Sequence, residues 1–424
     1  MKEDFLHYVW QHKKFDLTSL KTQQGETLQI SHVGSQLPQA GPDFFNAQMF
    51  IDAQKWAGNV EIHLKASDWY AHHHQNDVNY DNVILHVVWE CDAPVYRSDQ
   101  TEIPVLVLQD YVDSDVLLQY EQLRQKKNWI NCEYGIQDVP QFVMKNWLER
   151  LYFERLEEKV QPILTLLQEN NNDWEATFFC FLAKNFGLHA NGEAFLQMAK
   201  HLPFSVIRKE SFDVAYLEAL FFGTLGLIPQ QPQDTYTKDI LALYDYISVK
   251  YQLLTPLNTN VAFFRQRPDN FPTIRLAQLA KLYHQQKQLF SEVMQTKNLK
   301  GFYRLFQASV SEYWESHYNF EKQSVAKEKA LTKSFIDLLV INTVVPFQFA
   351  YAKMQGQEDY EFSFDLVEEI VAEHNSIITH FRQIGLEAQN AFESQALLQL
   401  KNKYCDANRC LHCTIGLELL KCKK

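Results

Sequence analysis

Nearly all the strand-like alternation in this chain lies ahead of Val112, and beyond it the apolar residues recur at helical spacing. That switch constrains the fold more than any other feature. Residues 3–13 carry Phe5, Leu6, Val9 and Trp10 as one apolar stripe and predict a short helix. Strands are expected over 27–33, 44–51 and 58–64, then over 82–90 and 101–108, where Pro104 marks a position near an edge. Helices are expected over 141–169, 174–186, 213–225, 237–251, 276–296, 362–384 and 388–401. The fold class that follows is α+β: a mixed-sheet head, residues 1–115, and a larger all-helical body, residues 116–424.

A chain of 424 residues that is 46% hydrophobic, with 30 Phe and 20 Tyr against 13 Gly and 13 Pro, has ample material for a packed core. Its net charge of −12 argues against broad affinity for nucleic acid, which depends on clustered cations, but leaves room for a local basic groove or a protein partner. The first ten residues hold Glu3 and Asp4 where a secretion signal would be basic, so none is expected. The longest apolar stretch, 335–350, is interrupted by Asp337, Asn342, Pro346 and Gln348, and reads as a buried helix that falls short of a membrane span. Seven cysteines, four of them crowded near the end, fit a reducing compartment; a cytoplasmic protein is expected.

Chemistry concentrates in the head. In the run Val60-Glu61-Ile62-His63-Leu64-Lys65 the acid, imidazole and amine share one face of a strand, while Val60, Ile62 and Leu64 share the other. With Asp43 on a neighbouring strand, this face can hold a divalent cation and polarise a water, or it can be a hydrogen-bonded ion-pair cluster. Downstream lie His72, His74 and Asp77, able to share a surface, and His86 within the apolar run 82–90, where a buried imidazole needs a hydrogen-bond partner.

A helix followed by three strands, with Pro42-Asp43 at the start of the second and Lys65 at the end of the third, resembles the restriction-endonuclease-like fold of the PD-(D/E)XK phosphodiesterases. The resemblance implies that Asp43 and a second acid bind magnesium or manganese and that Lys65 orients water. Its second-acid position is His63, and the nearest acid on that face is Glu61, a departure that favours manganese, iron or zinc over magnesium. The expectation is therefore a metal-dependent nuclease-like hydrolase using Asp43, Glu61, His63 and Lys65. The competing expectation is a noncatalytic scaffold that binds nucleic acid or protein through a degenerate site.

Two further clusters are candidates. Cys405, Cys410 and Cys413 are separated by four and two residues, and with His412 or Cys422 they can form a zinc site; an iron–sulfur cluster or a plain group of reduced thiols fits the same spacing. Arg265, Arg267 and Arg275 flank the start of a helix and suit phosphate binding, or they pair with the chain's many acids. The head segments, this arginine loop, Ser394-Gln395-Ala396-Leu397 and the Cys405 to Gly416 run together resemble an uncharacterised bacterial family known only as a domain of unknown function, which supplies no activity.

Overall fold

The computed structural model describes residues 1–36, 41–124, 128–253, 256–257, 259–356 and 361–420. The chain is α+β, with a mixed sheet near its N-terminus followed by a large helical region. It forms two compact units. One comprises residues 1–148, 379–386 and 398–424; the other comprises 149–378 and 387–397. Strands give way to helices near residue 115, as expected, and the C-terminal stretch falls in the unit that contains the sheet.

In the sheet unit, α1 (Glu3–Gln11) precedes β1 (Leu28–His32), β2 (Ser35–Gln36), β3 (Phe44–Ile51) and β4 (Gln54–Lys65). A short α2 (Asp68–Ala71) leads across to β5 (Val83–Glu90), and β6 (Val105–Val107) and α3 (Ser114–Arg124) follow. The strand order is β1-β3-β4-β5-β6, with β2 beside β3. The first three of these are antiparallel, whereas β4, β5 and β6 are parallel. A parallel neighbour requires a crossover, and residues 66–82 provide it. β6 is shorter than the expected 101–108 because Pro104 has no N–H to give; its carbonyl accepts from the His86 amide at 2.9 Å.

Alternation sorts the sheet into two faces. Val60, Ile62, Leu85, Val87 and Leu106 pack with Phe5, Leu6, Val9 and Trp10 of α1 in the main core. Across the sheet, Val83, Val88 and Val105 pack with Ala66, Trp69 and Tyr80 in a smaller core. Glu61, His63 and His86 are buried on that second face, at 5%, 1% and 0% exposure. Gly58 lies where β4 meets β5, and a Cβ there would collide with Ile84 and the Asn82 carbonyl.

In the helical unit, the helix Trp174–Phe186 matches the expected span, and Val214–Thr224 and Thr235–Tyr251 fall within two residues of theirs. The helix Gln141–Glu169, also as expected, runs through the division at residues 148 and 149. The run 276–296 is two helices, Pro272–Gln285 and Leu289–Gln295, because the polar stretch 284–288 gives nothing to bury between them. The run 362–384 is likewise broken, into Glu361–Glu368 and Ser376–Gln383, with a bridge between Val371 and Asn390 and an Asn375 side chain accepting from the Ile378 amide at 3.0 Å. The segment Lys333–Met354 is apolar and long enough to cross a membrane, but 78% of its apolar window is buried in the protein. It contains a π-turn, Val340–Val344, just ahead of Pro346.

A histidine-rich candidate metal centre

The site is built on β4. Glu61 and His63 point to the same face, two residues apart, and the parallel register sets Glu61 opposite His86. Behind β4, the chain turns through α2 and then through His73, whose φ of +63° is left-handed. That turn lets His72 and His74 both face β4 while His73 is exposed.

Four donor atoms converge. His63 Nε2 lies 3.1 Å from His72 Nδ1 and 3.5 Å from Glu61 Oε1, and His74 Nε2 lies 3.3 Å from the same Glu61 oxygen. The donor nitrogens of the three imidazoles all lie within 4.8 Å of one another. Around a zinc-type ion with bonds of about 2.0–2.1 Å, tetrahedral donors stand about 3.3 Å apart, close to the three short separations just given. His74 Nε2 is buried and, despite its short distance to Glu61, lacks the alignment of a hydrogen bond.

The surroundings orient the rings. His63 Nδ1, on the far side from Glu61, meets His86 Nε2 at 2.8 Å, the kind of contact that fixes which nitrogen an imidazole would turn toward a bound ion. His74 stacks on Tyr80 with centroids 3.8 Å apart, and Trp69 meets His74 and His86 with its ring. Burial, then the neighbouring His74 and His72, lowers His63 to about 3, which keeps it neutral and able to ligate. His86 is also pushed well down by burial and by His63. Glu61 is pushed up to about 9 by burial and then by Asp43, so without a cation it holds a proton at neutral pH. His72 is exposed and His74 half-buried, which leaves the cluster open to solvent on that side.

A second pair borders the centre. The Asp43 amide donates to Glu61 Oε2 and the Ile62 amide donates to Asp43 Oδ2, each at 3.0 Å, a reciprocal lock between the start of β3 and β4. Asp43 also lies 3.2 Å from His7 Nε2 on α1. Burial lowers the His7 pKa, but the adjoining Asp43 carboxylate, with Glu3 and Glu61, outweighs it and holds His7 above its ordinary value. His7 is absent from the sequence expectations; its only signal there is the i, i+4 spacing from Glu3, which brings both to one face of α1.

The remaining candidates separate from this centre. Lys65 does not join Asp43 and Glu61: it sits at the exposed end of β4, and its Nζ pairs with Glu90 at 3.7 Å. Asp77 spends its carboxylate on the Asn79 amide at 2.9 Å as a helix cap. The three arginines do not converge either. Arg265 and Arg267 are exposed, while Arg275 is buried, stacked 3.6 Å over Phe335 and bonded to Asn270 and Gln278. Cys405, Cys410 and Cys413 gather in the sheet unit as free thiols, His412 beside them is exposed, and Cys422 lies outside the described residues.

Residues 3–376 match a family described as a protein of unknown function, DUF2851. This chain belongs to the DUF2851 family. The family match contains every residue of the histidine centre and ends before the C-terminal thiols. No curated protein and no solved structure matches the chain.

Proposed function

We propose that this DUF2851 protein is a metal-dependent hydrolase of phosphodiesters, with Glu61, His63, His72 and His74 as the ligands. The observation that carries the reading is the gathering of three imidazole nitrogens within 4.8 Å of one another, with a Glu61 oxygen 3.5 Å from His63 and 3.3 Å from His74. Imidazole-rich sets favour zinc, iron or manganese over magnesium. When bound, such an ion supplies Lewis acidity and an acidified water. Glu61 and His63 anchor it from the strand, His72 and His74 close over it from the loop, and His86 holds the His63 ring in its ligating orientation. Asp43 and His7, beside the ligands and reachable from solvent, hold and move a proton.

The substrate class rests on topology. A helix, three antiparallel strands and a crossover to a parallel fourth, with Pro42-Asp43 opening β3 and Glu61 and His63 on β4, support a nuclease-like reading, and nucleic acid is the substrate proposed. One observation favours the second reading, a metal-holding module without turnover that binds nucleic acid or a protein: Lys65, the water-orienting amine of the nuclease resemblance, is turned to Glu90.

Elemental analysis and calorimetry with zinc, manganese and magnesium, followed by cleavage assays on DNA, RNA and a chromogenic phosphodiester, test both. On the first reading, Glu61→Gln and His63→Ala lose the metal. Asp43→Asn and His7→Ala keep it but lose at least tenfold in cleavage rate. Metal bound with no cleavage of any substrate leaves only the second reading, and a wild-type protein that binds no divalent ion overturns both.

A further inference from the structure

The C-terminal thiols have a fourth partner that sequence spacing does not reveal. Cys132, in the turn that follows α3, lies among them: its thiol is pushed up to about 12 by burial and then by Cys413 and Cys410, and Cys405 is raised by burial and then by Cys132, Cys413 and Cys410. Asn131 ties the two segments together, donating to Cys410 Sγ at 3.4 Å and to Asn408 Oδ1 at 3.2 Å. All four thiols are free, and Cys413 is buried while the other three are half-buried. Burial raises all four thiols, and Cys132, Cys405 and Cys413 are each raised further by a neighbouring thiol, a crowding that a positive group joining them would relieve.

The local backbone is shaped to present sulfur inward. A π-helical turn, Leu400–Cys405, ends on Cys405, and a 3-10 turn, Cys410–His412, separates the next two thiols. Gly416 is pressed against the Cys410 carbonyl so closely that a Cβ would collide with it. That approach turns the Ile415 and Gly416 amides toward the Cys413 sulfur, and the Trp147 indole N–H faces the same atom. N–H groups aimed at a sulfur stabilise a thiolate, the state a metal ligand must adopt.

We infer that Cys132, Cys405, Cys410 and Cys413 form a four-thiolate centre for a thiophilic metal, either a single zinc ion or an iron–sulfur cluster. Each thiol surrenders its proton to solvent as it binds, so the centre carries four negative charges against the metal's positive ones. Its role is structural: it clamps the 398–420 segment to the turn at 129–135 within the sheet unit, where Cys132, Leu411, Leu417 and Leu419 already line the main core. The centre is independent of the histidine site, and either can fail without the other.

The test uses the full-length protein purified without oxygen, from cells supplied with iron and zinc. Elemental analysis, acid-labile sulfide and the visible spectrum are compared in wild type, Cys132→Ser, Cys410→Ser, Cys91→Ser and Glu61→Gln. Zinc without colour, or iron with sulfide and a visible band, supports the centre if Cys132→Ser and Cys410→Ser lose that metal and Cys91→Ser and Glu61→Gln keep it. Should the Cys132 variant fail to fold, the wild-type protein still decides through thiol titration: four more thiols react with a thiol reagent after chelation than before it. An unchanged thiol count, with no metal beyond what Glu61→Gln loses, overturns the proposal.

Discussion

A single buried carboxylate in the helical unit illustrates how one residue can set a protein's response to pH. Glu218, 1% exposed, accepts from Tyr236 Oη and Ser311 Oγ at 2.8 Å each, and burial pushes it up to about 7 despite those bonds. Its folded pKa is above its unfolded one, so its contribution is complete below ~4.5 and declines as pH rises through about 7, at up to about 1.4 kcal/mol per pH unit. The variant Glu218→Gln keeps the shape and one acceptor while removing the titration. Urea denaturation at pH 4 and pH 8 is expected to find the variant relatively more stable at pH 8 than at pH 4, by roughly 1–3 kcal/mol; parallel profiles would contradict it. In the head, the shared face of Glu61 and His63 is legible in the sequence because period-two alternation fixes direction. Lys65 obeys the same alternation yet sits at the strand's exposed end, where Glu90 offers a partner; alternation gives direction but not depth.

At the scale of elements, β4 is the member on which the histidine centre depends, and Gly58 sets its distance from β5. Gly58→Ala forces a methyl against Ile84 and a backbone carbonyl, so it is expected to cost about 1–3 kcal/mol, as overpacking does. The check is a lowered urea midpoint together with weaker metal retention, since Glu61 and His63 follow in the same strand. Strand β3 and the helices Gln141–Glu169 and Trp174–Phe186 match their expected spans because each is a long periodic run with clear ends. The loop histidines could be named from composition as candidates, but their convergence depends on the left-handed turn at His73 and on Tyr80 and Trp69, which no local pattern specifies. His7 and Cys132 were illegible for a related reason: both meet their partners through tertiary contacts across long sequence separations.

Over the whole chain, the sheet unit is assembled from discontinuous pieces. Residues 398–424 belong to it, and Leu420 is buried in its core with Leu417 and Leu419 packed alongside. Deleting 398–424 is therefore expected to lower the melting temperature of the sheet unit by several degrees, at the ~4–8 °C per kcal/mol typical of a small domain. Circular dichroism and the fluorescence of Trp10 and Trp69 would follow it, and an unchanged melting curve would show that the stretch contributes nothing to that core. The change from strand to helix pattern near residue 115 was legible; this return was not, because apolar residues in a terminal helix do not announce which unit they join.

The return also orders events in time. At roughly 5–20 residues per second, a ribosome spends about fifteen to sixty seconds between finishing the opening strands and delivering the last piece of their core. Throughout that interval the nascent sheet lacks the Leu417, Leu419 and Leu420 side chains that complete its core, and that part of its apolar face stays uncovered until the final residues arrive.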